Sequence, residues 1–105
     1  MAKVQVNPGV CGLITTIQAT ADDDQTVTLN VESACAYIMA MAADIPEVDG
    51  YAEVFGKLGD GEICKAAHAH CKHSACPVPS GFIKAVEVAC GLALPRDVHM
   101  TVTKD

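Results

Sequence analysis

Apolar residues recur at every second position in the first third of the chain and at helical spacing through most of the remainder, so the change of period marks out the elements. Residues 3–6 alternate polar and apolar side chains as a short strand does, and Asn7-Pro8-Gly9 stops them with turn chemistry. In residues 13–19 and again in 27–31 the odd positions carry the inward set, Leu13, Thr15, Ile17 and Ala19 against Val27, Leu29 and Val31. With Asp22-Asp23-Asp24 between them, the two runs predict a hairpin centred on Asp23, in which Ala19 faces Val27, Ile17 faces Leu29 and Thr15 faces Val31. Continued outward, the same ladder sets Cys11 opposite Cys35 on one face.

Helical spacing takes over after Ser33, which reads as an N-cap. Residues 34–43 carry no charged side chain and are apolar on every side (Tyr37, Ile38, Met39, Met41), which predicts a helix covered on two faces or seated at a subunit interface; Pro46 ends it. A short helical turn is expected over residues 51–55 and an alanine-rich helix over 62–72. Pro77 and Pro79 then open a helix whose stripe is Phe82, Ala85, Val86 and Ala89, with Gly91 as its stop. Finally, Val98, Met100 and Val102 alternate with His99, Thr101 and Thr103, predicting a last strand that turns His99 outward. The expected fold is a single α+β domain over residues 1–105: an antiparallel sheet of three or four strands with helices packed mainly on one face.

Composition narrows this further. With 105 residues there is room for one hydrophobic core, and with two Phe, two Tyr and no Trp that core must be built from Ala, Val, Ile, Leu and Met. The net charge is −6 and the basic residues are scattered, which argues against a nucleic-acid partner. No apolar run reaches membrane-spanning length, and residues 1–10 lack a signal-peptide core, so a cytoplasmic protein without a membrane partner is expected. In that reducing compartment six cysteines point to metal or thiol chemistry in preference to a disulfide framework.

The chemistry concentrates in residues 64–81, CKAAHAHCKHSACPVPSG, which hold three of the six cysteines and three of the four histidines. Thiolate and imidazole are ligands for zinc, iron and copper, and nucleophiles when suitably activated. On a helix, Cys64, His68 and Cys71 fall at i, i+4 and i+7 and share a face, which serves equally well as ligand face or core face. His73 and Cys76 follow within one short turn. The spacings are not the CxxC of zinc ribbons or thioredoxin-like sites. His70 is expected to be solvated, Cys90 to pack, and Glu53, Asp60 and Glu62 to be ordinary solvated acids. GKLGDG is not a phosphate loop, since its glycine spacing is wrong and Leu58 stands where Ser or Thr is required.

The segments PGVCGL, ESAC, HSACPVP and KAVEVACGLALPRDV together resemble a small uncharacterised prokaryotic protein family, over most of the chain. That resemblance implies family positions at Cys11, Cys35, His73 and Cys76, leaves Cys64, Cys71 and Cys90 peculiar to this chain, and carries no activity with it. The run Cys76-Pro77-Val78-Pro79 is also similar to the CPxP motif of sulfur carriers, where it opens a helix and the cysteine bears a persulfide.

The leading expectation is a metal site, zinc or an iron–sulfur cluster, held by Cys11, Cys35, His73 and Cys76. The alternative is a sulfur-carrier or thiol-redox protein with Cys76 as nucleophile. A third reading is a structural module whose apolar helix over residues 34–43 makes a homodimer. No serine triad, carboxylate pair or nucleotide loop is recognisable, and enzyme activity stays open.

Overall fold

A computed structural model describes residues 1–105. Its elements are β1 (Ala2–Val6), β2 (Thr15–Ala21), β3 (Thr26–Ser33), α1 (Ala36–Asp44), β4 (Glu47–Asp49), α2 (Gly50–Phe55), α3 (Gly61–His70) and α4 (Val78–Ala89). The strands form one antiparallel meander in the order β1-β2-β3-β4, and the fold is α+β. Ile17, Ala19, Val27 and Leu29 point into the core from the sheet, whereas Lys3, Gln5, Thr20, Thr28, Asn30 and Glu32 are exposed. Helix α4 packs across β1 and β2, α1 packs on β3, and α3 lies against α1 and α4.

The expected faces of the β2–β3 hairpin are the observed ones, but its register is shifted by two residues. Ile17 faces Val31, Ala19 faces Leu29, Ala21 faces Val27, and Thr15 faces Ser33. The cause lies in the turn. Asp22 Oδ1 accepts the N–H groups of Asp24 and Thr26, both at 2.9 Å, and Gln25 takes the left-handed conformation (φ 60°), so the loop is Asp23, Asp24 and Gln25. A shift of two preserves side-chain parity, which is why the inward set survives. The pairing of Cys11 with Cys35 does not survive. β2 begins at Thr15, and Cys11 sits exposed in a turn where the Gly12 N–H donates to the Gly9 carbonyl at 3.0 Å.

One further expectation is corrected and one is narrowed. The fourth strand is β4, with Val48 opposite Val27, while the segment of Val98, Met100 and Val102 forms no strand and lies exposed. Helix α1 buries only Ile38 and Met41 and leaves Tyr37 and Met39 open, so this chain covers it on one side alone.

The core joins the sheet residues to Ile38 and Met41 of α1, Ile63 and Ala66 of α3, and Val78, Phe82, Ala85 and Val86 of α4. Phe82 is its one aromatic ring. At Gly81 a Cβ would collide with the Val6 side chain, so the missing side chain lets α4 sit directly on β1. α4 ends in a Schellman motif: Gly91 (φ 72°) donates to the Val88 carbonyl at 3.1 Å and Leu92 to that of Glu87 at 2.8 Å. No helix is long and apolar enough to cross a membrane.

Glu53 is not a solvated acid. It is buried, and its carboxylate accepts the N–H groups of Glu62 and Ile63 at the start of α3. Asp60, which precedes that helix, makes no side-chain cap.

Candidate functional site

The docking of α1 against α3 determines which thiols meet. Cys35 is itself the N-cap of α1; its N–H donates to Ser33 Oγ at 3.0 Å, and Ser33 in turn is hydrogen-bonded to the buried Thr15 hydroxyl at 2.7 Å. The thiol therefore lies one step outside the helix, not in its first turn as the sequence implied. Its side chain makes no capping bond.

Cys71 closes the opposite helix. It is the C-cap of α3, with its N–H donating to the Ala67 carbonyl at 2.8 Å, and its thiol lies 3.9 Å from Met41 Sδ of α1. Burial pushes the Cys71 thiol above the ordinary thiol range, and its neighbours Cys76 and Cys35 push it further, because each added thiolate disfavours another. Cys76 is half-buried against the core just ahead of Pro77, which caps α4, and its N–H donates to the His73 carbonyl at 3.2 Å. Three thiols from three parts of the chain thus share one corner of the molecule. Lys72 ties that corner together, its ammonium 5.6 Å above the Tyr37 ring of α1.

Beside them opens a cleft of about 430 Å³ lined by Cys64, His68, Cys71, His73 and Cys76, with Lys72 at its rim. The shared helical face of Cys64, His68 and Cys71 is real, and it borders the cleft, while Ile63 and Ala66 form the core face of α3. Of the four residues singled out as ligands, His73 and Cys76 line the cleft, Cys35 lies near Cys71, and Cys11, exposed in its turn, does not line the cleft. Cys71 is the residue that sequence reasoning passed over. The three-residue face on α3 was its only signal, because its proximity to Cys35 depends on helix docking. As the side chains stand, no three His, Cys, Asp or Glu residues are grouped tightly enough to hold an ion.

The remaining candidates are accounted for by packing. Cys90 is buried against Gly50, and its carbonyl accepts from Gln25 Nε2 at 3.0 Å. His70, expected to be solvated, is hydrogen-bonded to Asp44 of α1 at 2.6 Å and so helps to join α3 to α1. All six thiols are unpaired.

A family model described as a family of unknown function, DUF6951, matches residues 2–102. The chain belongs to that family. No curated protein and no solved structure matches it. The family match spans every element of the fold, so the thiol corner and the cleft beside it both lie inside the family's domain.

Proposed function

We propose that this chain is a small metal-binding protein that holds zinc or an iron–sulfur cluster between Cys35, Cys71 and Cys76, with His73 as the fourth donor. The observation that carries this reading is that Cys76 and Cys35, from separate elements, both lie near enough to Cys71 for their charges to act on its thiol, beside an open cleft lined by His68 and His73. Burial and its thiol neighbours hold the Cys71 proton on, and a bound cation would reverse that sign by stabilising the thiolate. Three thiolates and one imidazole suit tetrahedral zinc, and equally a cluster with a single histidine ligand. Residues 71–77 connect α3 to α4, and binding of the ion would require that connection to bring His73 and Cys76 to bonding distance. Six unpaired thiols also fit a reducing compartment, and a cytoplasmic location belongs to the same proposal.

The test is anaerobic purification followed by elemental analysis and a visible spectrum, repeated on single variants. Cys35→Ser, Cys71→Ser, Cys76→Ser and His73→Ala should each lose metal, while Cys11→Ser should retain it. A folded protein that carries no metal and takes up neither zinc nor iron would overturn the reading.

One observation favours a second reading, a sulfur carrier or thiol-redox protein acting through Cys76. That thiol lines the open cleft next to His73 and Lys72, immediately ahead of the N-terminus of α4, where a sulfur acceptor or donor could reach it. In that case Cys76→Ser alone should abolish sulfur-carrier or thiol-redox activity, and Cys35→Ser and Cys71→Ser should leave it intact.

A further inference from the structure

After Cys90 the chain continues through residues 91–105 without forming an element. Within that tail Val98, Met100 and Val102 are 65%, 80% and 88% exposed, while they alternate with the polar His99 and Thr101. Such alternation belongs to a strand with one buried face, and here that face has nothing against it. At the other end of the chain, β1 is an edge strand. It pairs with β2 alone, so its outer row of N–H and C=O groups is open, and its inward residues Val4 and Val6 are only half-buried although they pack against the core.

We infer that residues 98–102 of one copy add antiparallel to β1 of a second copy, and that the exchange is reciprocal, giving a twofold dimer. The register is dictated by parity. With Val98 opposite Val6, Met100 opposite Val4 and Val102 opposite Ala2, all three apolar tail residues join the helix-covered side of the sheet. His99 and Thr101 then fall opposite Gln5 and Lys3 on the polar side. The two segments match in length, and each is bounded by proline, Pro8 after β1 and Pro95 before the tail strand.

The geometry also selects a second copy over the chain's own tail. The Cys90 carbonyl is bonded to Gln25 of the β2–β3 turn, which lies toward the Ala2 end of β1, since Ala2 pairs with Ala19. An antiparallel strand on β1 must enter at the Val6 end. A chain's own tail would therefore have to run the length of β1 and turn back before residue 98, a detour that a tail supplied by a neighbour need not make. Each copy then donates one strand and accepts one, a closed arrangement that leaves no β1 edge open.

The test combines sedimentation of the full chain over a wide concentration range with hydrogen exchange. The expected result is a dimer in which the amides of residues 98–102 gain protection together with dimer formation. Met100→Asp should weaken the dimer by about a hundredfold or more, because a carboxylate would be buried without a partner. Since Met100 is exposed in the single chain, this variant should melt as the native monomer does. A monomer at every concentration would overturn the inference. So would a dimer indifferent to Met100→Asp, which would place the interface elsewhere, for instance on the open side of α1. Tail protection in a strictly monomeric protein would mean that the tail folds onto its own edge, and would overturn the exchange.

Discussion

Glu53 caps a helix to which it does not belong: its carboxylate accepts the N–H of Ile63 at 2.7 Å and that of Glu62 at 2.9 Å. A buried carboxylate at a helix N-terminus is satisfied by free N–H groups and by the positive end of the helix dipole. Gly61 makes the approach feasible, for it adopts φ 91° and a Cβ there would collide with the same carboxylate. Because α3 carries Cys64, His68 and Cys71, the pose of the thiol corner depends on an acid that lies outside it. Glu53→Gln keeps the shape but turns an amide NH2 toward an N–H donor. It should cost about 1–3 kcal/mol in urea unfolding, and an unchanged midpoint would show that the cap is not needed.

The contact between α4 and β1 gives a second prediction. A methyl at Gly81 must displace the Val6 side chain in a packed layer, and overpacking of that kind costs about 1–3 kcal/mol. Gly81→Ala should therefore destabilise the fold, even though alanine is the better helix former. Restoration by the double variant Gly81→Ala with Val6→Ala would locate the clash, and additive losses would refute it.

Parity survived: Ile17, Ala19, Val27 and Leu29 were readable as the inward face because a strand alternates whatever its partner. Register was not readable, since it turns on Gln25 adopting a left-handed conformation that glycine or asparagine would have signalled and glutamine does not. The slip had a chemical consequence, because it was the mistaken ladder that joined Cys11 to Cys35. β4 escaped notice because its three residues offer only Val48 to the core. The role of Glu53 escaped because capping at a distance leaves no local pattern, and Cys71, readable on a helix face, could not be joined to Cys35 because that depends on helix docking. The tail shows the reverse case, a strand pattern that finds no partner within one chain.

Cys90 yields a prediction on pH. Burial pushes its thiol up, and the nearby Asp49 carboxylate pushes it further. The unfolded chain ionises this group at the ordinary thiol pKa while the folded chain holds the proton to higher pH. The stability from Cys90 is therefore complete below the ordinary range and is lost as pH rises from there through the folded pKa. Under reducing conditions, urea unfolding between about pH 8 and pH 10 should show a steeper fall for the native protein than for Cys90→Ala. Equal slopes would assign the loss to other groups. Cys90 should also be among the last thiols alkylated.

If the thiol corner holds zinc, the ion acts on folding. The metal-free protein should gain about 2.7 kcal/mol when free zinc exceeds the dissociation constant a hundredfold, and the gain should vanish in acid as protons compete for the thiolates. Thermal melts with and without zinc, at neutral pH and near pH 5, would check both statements. Melting temperatures that ignore zinc would remove the structural role of the ion.

The meander has a consequence for the order in which the molecule assembles. Every strand pairs with its neighbour in sequence, so the sheet can grow by short loop closures. Helix α4 is different: it comes from the far end of the chain and closes over β1 and β2 at the beginning. Local pairing is fast and long-range closure slow, so the arrival of α4 is the step that should limit the folding rate. Until it arrives, the inner sides of Val4, Val6 and Ile17 stand open to water. During that interval the nascent protein is most exposed to aggregation.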